Sequence, residues 1–132
     1  MEDATRPSNS KAMFWIGWVL SGLASALLIF SGLVKFMPVS DPEMEKALEH
    51  IGWRADQLTG LGILEIAVVI VYLIPQTAVL GAILVAGYMG GAIATHFRVG
   101  DPFIAQAVIG VIFWLGLWLR EPRLRELLPI RK

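Results

Sequence analysis

The stretch Leu58-Thr59-Gly60-Leu61-Gly62-Ile63-Leu64-Glu65-Ile66-Ala67-Val68-Val69-Ile70-Val71-Tyr72-Leu73-Ile74 is a nearly unbroken apolar run with one carboxylate near its centre. Pro75-Gln76-Thr77 alone separates it from a second run over 78–95. At the standard helical rise 17 residues reach about 26 Å, close to the lower limit for crossing a hydrocarbon core roughly 30 Å thick. So short a connection obliges the two runs to form a tight antiparallel hairpin. Working outward, a run over 13–34 precedes them, a run over 103–119 follows, and Glu65 is the sole charge inside any of the four. The pattern predicts an all-α integral membrane protein, an antiparallel four-helix bundle.

Composition agrees with that class. The chain has 132 residues, 56% hydrophobic and 17% charged, and its mean hydropathy of +0.66 is too apolar for a soluble domain of this size. A formal net charge of 0 gives no basis for nucleic-acid binding. The absence of cysteine excludes disulfides, thiol relays, thiolate metal sites and haem attachment through Cys. His50 and His96 are the two histidines and have no ligand spacing, so no metal site is expected. The first run exceeds a signal-peptide core of roughly 7 to 15 residues and passes straight into Lys35 and Phe36, so it reads as a retained helix.

Lysine and arginine counts set the expected orientation. The side holding both termini and the Pro75 turn carries seven (Arg6, Lys11, Arg120, Arg123, Arg125, Arg131, Lys132), and the other carries Lys35, Lys46, Arg54 and Arg98. Both termini are therefore expected in the cytoplasm, with the chain multi-pass in the membrane. The expected organisation is a tail over 1–12, one transmembrane domain over 13–120 and a basic tail over 121–132 whose Arg120, Arg123 and Arg125 contact lipid headgroups. Tyr72, Trp114 and Trp118 are expected in the aromatic belt on that side. Gly100 is expected to close the third helix, with Asp101 capping the fourth and Pro102 in its first turn.

The first loop is expected to hold an amphipathic helix over 40–52. Ser40 and Glu43 have capping-box spacing, Asp41 is an alternative cap and Gly52 a terminator. Met44, Ala47, Leu48 and Ile51 fall on one face of it, opposite Glu45, Lys46 and Glu49. Such a helix lies on the membrane surface over the outer end of the bundle.

A carboxylate at the depth of Glu65 is tolerated only when partners face it from inside the bundle. Glu65 and Tyr88 both lie about 10 Å in from one membrane face, level on adjacent helices. Thr95 is about 20° around the third helix from Tyr88, and His96 flanks it at roughly 80°. Ser31 and Lys35 are four apart on the first helix, Arg98 ends the third, and Gln106 lies one turn into the fourth. These eight residues are candidates for a ligand-binding pocket in the outer half of the bundle. Each also has an ordinary role: Lys35 snorkels, Arg98 meets headgroups, Gln106 bonds between helices, and Glu65 forms a structural ion pair with Lys35 or Arg98 or a bond with Tyr88. Gly87, Gly90, Gly91, Ala92 and Ala94 are expected to allow close approach of a neighbouring helix.

The segment Ser31-Gly32-Leu33-Val34-Lys35-Phe36, the membrane carboxylate, and Gly90-Gly91-Ala92-Ile93-Ala94-Thr95-His96-Phe97-Arg98-Val99-Gly100-Asp101-Pro102 together resemble the DoxX-like family of small four-helix bacterial membrane proteins. The resemblance spans roughly residues 13–120. It implies association with redox complexes, since the family takes its name from a membrane subunit of a thiosulfate:quinone oxidoreductase, while other relatives are linked to oxidative stress or to assembly of partner proteins. It carries over no catalytic residues. Three functions stay open: a quinone-linked accessory subunit with a membrane or soluble redox partner, a binder or carrier of a small amphipathic ligand, and a non-catalytic scaffold. Quinone is the cofactor considered, the lipid bilayer is the surrounding partner, and a homo-oligomer is open.

Overall fold

The computed structural model describes residues 10–131; residues 1–9, with Arg6, and Lys132 lie outside the described residues. The described chain is all-helical. Helix α1 (Lys11–Val34) begins where Ser10 Oγ accepts the Met13 N–H at 3.1 Å, a cap that ties down one of the free N–H groups of the first turn. Helix α2 (Pro42–Ile51) is capped by Asp41 rather than Ser40, with Pro42 in its first turn and Gly52 closing it at φ 84°. Helix α3 (Ala55–Leu73) starts three residues before the apolar run, because the Gln57 side chain accepts the Arg54 N–H at 2.9 Å. Hydropathy does not register such a cap.

A single 3-10 turn (Pro75–Thr77) reverses the chain into α4 (Ala78–Arg98), and Thr77 Oγ1 donates to the Val71 carbonyl at 2.7 Å to fix the corner. Gly100, at φ 79°, follows the end of α4, a conformation that L side chains rarely adopt. Asp101 does not cap the next helix as expected, nor does Pro102 lie in its first turn. Helix α5 (Ile104–Arg120) begins after Phe103 with no side-chain cap, and the Asp101 carboxylate turns instead to two histidines. The tail also differs from a plain basic stretch. Glu121 accepts the Arg123 N–H and starts α6 (Pro122–Leu127), with Pro122 in its first turn.

Helix α1 packs against α3 and α5, and α4 packs against the same two. Glycines set the closest approaches. A Cβ at Gly17 would lie 2.7 Å from the Gly116 carbonyl, and one at Gly62 would lie 2.7 Å from that of Gly32. On α4, Gly81 likewise lies against the backbone of Tyr72, but Gly87, Gly90 and Gly91 do not serve this purpose, contrary to expectation: added carbons there meet nothing within 4 Å.

The exterior is hydrocarbon, with Trp15, Leu23, Phe30 and Val111 all outward and more than half exposed. Lys11–Val34, Ala55–Leu73 and Pro75–Arg98 are long and apolar enough to cross a membrane, and α5 is a shorter apolar helix of 17 residues. A surface of this kind suits a lipid bilayer. The tightest core lies toward the ends of the helices near the Pro75 turn, around Val69, Tyr72 and Phe113, whose rings meet edge to face at 4.8 Å. The opposite half is hollow.

Candidate functional site

Glu65 is 1% exposed, on the face of α3 turned toward α1 and α4. Lys35, just past the end of α1, reaches back to it: Nζ lies 2.8 Å from Glu65 Oε2 and 2.9 Å from Ser31 Oγ one turn earlier. The four-residue spacing of Ser31 and Lys35 makes this possible, since both side chains leave one helical face. Lys35 keeps 22% of its side-chain exposure, so the pair is a buried acid held by a partly exposed cation.

The pair opens on a cavity of about 600 Å³. Seven of the eight candidate residues line it: Ser31, Lys35, Glu65, Tyr88, Thr95, His96 and Gln106. Tyr88, half-buried on α4, interacts electrostatically with the Glu65 carboxylate. Gln106 Oε1 is buried without a hydrogen-bond partner, and Thr95 Oγ1 donates back to the Gly91 carbonyl at 2.8 Å. Arg98 does not line the cavity and does not pair with Glu65; its Nη2 donates to the Ile51 carbonyl at 2.6 Å. The bare backbone at Gly87 and Gly91 leaves the space that larger side chains on α4 would fill.

Residues outside the candidate set complete the mouth. Ile51 and Trp53 come from the end of α2 and the turn after it. Asp101 ties that end down, with Oδ1 at 2.8 Å from His50 Nε2 and Oδ2 at 3.4 Å from His96 Nδ1. The hydrogen bond with His50 holds the Asp101 carboxyl below its ordinary value of 3.8, partial burial opposes this, and His96 adds to it. The helix pattern over 42–51 contained the signal for His50, but no local rule couples it to a residue 51 positions away. Among the described residues no group of three His, Cys, Asp or Glu is placed to hold a metal ion.

A second polar network lies toward the terminal end of the helices and was not expected. Tyr72 belongs to the core rather than the aromatic belt: its hydroxyl donates to the Phe113 carbonyl at 2.6 Å and lies 2.8 Å from Ser21 Oγ. Arg120 turns inward instead of toward headgroups. It is 8% exposed, donates Nε to Ser21 Oγ at 3.1 Å, and stacks its guanidinium 4.0 Å from the centre of the Trp18 ring. Arg125 donates to the Trp118 and Leu119 carbonyls, capping the end of α5. Bonded across α1, α3 and α5, this network locks those helices together.

Searches of curated proteins and of solved structures found no match. The model of the DoxX-like family matches residues 19–119, a span that contains Ser31, Lys35, Glu65, Tyr88, His96 and Gln106 together with the Gly87 to Gly91 opening. This membrane protein therefore belongs to the DoxX-like family.

Proposed function

We propose that this chain is a membrane subunit that binds the headgroup of an isoprenoid quinone in the outer-half cavity and serves a redox partner as a quinone-linked accessory. The observation that carries this reading is one enclosure of about 600 Å³ where Lys35, Tyr88 and His96 stand among mostly apolar walls. A quinone is a flat apolar ring with two carbonyl acceptors. Hydrocarbon walls take the ring, and a few fixed polar groups orient the carbonyls. Reduction to the quinol needs two electrons, which the partner supplies, and two protons drawn from water, which Glu65 relays while His96 or Tyr88 bonds a carbonyl.

In this reading α1, α3, α4 and α5 all cross the inner membrane as an antiparallel bundle, with both termini in the cytoplasm as the charge count favours. Helix α2 lies on the outer surface with Met44 and Leu48 toward lipid and Ile51 at the cavity mouth. A second reading, a binder or carrier of another small amphipathic molecule, is favoured by the attachment of α2. None of its residues is buried, and the bonds His50 to Asp101 and Arg98 to Ile51 hold its end at the cavity mouth, as suits a lid.

Native mass spectrometry on protein extracted gently from its own membrane separates these readings. A quinone adduct on the wild type, diminished in Tyr88→Phe and Glu65→Gln, supports the first, and a different lipid-like adduct supports the second. Absence of any adduct, with no rise in melting temperature on adding a decyl-substituted benzoquinone, refutes the quinone site.

A further inference from the structure

A second hollow runs along the outside of α4 and α5, an almost wholly apolar groove of about 590 Å³ that ends beneath Leu128 and Pro129. Met89 and Gln106 line both this groove and the polar cavity, so two side chains stand between them. Methionine, with three rotatable bonds and a polarizable sulfur, adapts its shape at small energetic cost. The buried oxygen of Gln106, at the same junction, has no donor. Buried polar atoms are nearly always partnered, so an orphan at a cavity wall points to a group that is bound there.

We infer that cavity and groove are the two halves of one binding site, the cavity for a polar head and the α4–α5 groove for its hydrocarbon tail. The inference rests on the quinone reading and deepens it: the ligand is a long-tailed quinone, and in its reduced state a hydroxyl of the head supplies the donor that Gln106 lacks. From Gln106 to Trp118 the α5 wall runs about 18 Å at the standard rise, room for an extended tail rather than a methyl group. The floor is firm, because Trp118 Nε1 donates to the Leu128 carbonyl at 2.9 Å and holds the C-terminal segment across the groove. Gly90 keeps the channel open on the α4 side: it lines the groove but not the cavity, and a side chain there meets nothing within 4 Å.

That last property provides the test, since a larger residue at Gly90 plugs the groove without striking backbone. Binding of a decyl-substituted benzoquinol and of its tail-less analogue is measured on the full chain in lipid nanodiscs. The variants are Gly90→Leu and, on the opposite wall, Val111→Trp. Gly22→Leu serves as control, an equally open position on α1 away from the groove. The expected result is roughly tenfold weaker binding of the decyl probe to the plugged variants, as tail contacts with the groove are lost, with the tail-less probe unaffected and the control unchanged. Comparing one probe across variants removes its partition into the bilayer from the answer. If the decyl probe binds Gly90→Leu and Val111→Trp as it binds the wild type, or if both probes weaken equally, the tail site is overturned while the headgroup reading stands. If neither probe binds the wild type, both fall together.

Discussion

Lys35 and Glu65 form the one pair whose disruption should register in both folding and binding. At 2.8 Å and an effective dielectric of about 20, their attraction is about 6 kcal/mol, most of it offset by the loss of hydration. Removing one partner of a fully buried pair costs about 3–5 kcal/mol. The Lys35 side chain retains 22% exposure, so the pair is only partly buried and Lys35→Met should cost about 2–3 kcal/mol. Glu65→Gln should cost less, about 1–2 kcal/mol, because the ammonium keeps its bond to Ser31 Oγ. In the double variant neither charge is stranded, and the cycle should return a coupling of about 1–2 kcal/mol. Unfolding by SDS in mixed micelles, followed by tryptophan fluorescence, measures all four corners. Additivity within about 0.5 kcal/mol would mean that the two groups do not depend on each other, and the account of Glu65 as a carboxylate held by Lys35 would be wrong.

Other perturbations separate the lock from the hollow. Tyr72→Phe should destabilise by about 1–2 kcal/mol through loss of its bonds to Phe113 and Ser21, while binding at the Glu65 cavity is unchanged; a melt equal to wild type would contradict the network. Gly17→Ala should cost about 1–3 kcal/mol by forcing α1 from α5, whereas Gly87→Ala should be neutral or stabilise by up to about 1 kcal/mol, since its carbon meets open space. Comparable losses at both positions would refute the assignment of which glycines pack. Asp101 has a depressed folded-state value, so its contribution to holding α2 is present above its ordinary 3.8 and is lost as pH falls below it. Protection factors in α2, taken relative to the intrinsic exchange rate at each pH, should fall at that acid limit in the wild type, and Asp101→Asn should show the lower protection at neutral pH with no such transition.

How much of this could be read in one dimension depends on the residue. Lys35, Ser31, Glu65 and Tyr88 were reachable because helical rise and hairpin topology fix depth, and i,i+4 spacing fixes a shared face. His96 and Gln106 followed from the same counting. Arg98 stands apart from the other seven, since a flexible side chain at a helix end has several partners within reach, and the Ile51 carbonyl, 47 positions away, is invisible to spacing. The same holds for Asp101, which had the sequence signature of a cap and became the bridge between His50 and His96.

One-dimensional information was enough to establish an all-helical membrane chain of the DoxX-like family, with apolar runs of spanning length, a hairpin at Pro75 and one acid at depth. Those properties depend on length, hydropathy and local stereochemistry, which act residue by residue. Three-dimensional packing alone settled that Arg120 and Tyr72 turn inward, that α1 meets its neighbours through Gly17, Gly32 and Gly62, and that Gly87, Gly90 and Gly91 face hollows while Gly81 of the same helix meets α3. The physical reason is the solvent. In water a polar outer face reveals which side of a helix is buried, but lipid is as apolar as the interior, so both faces carry the same residues and packing alone tells them apart.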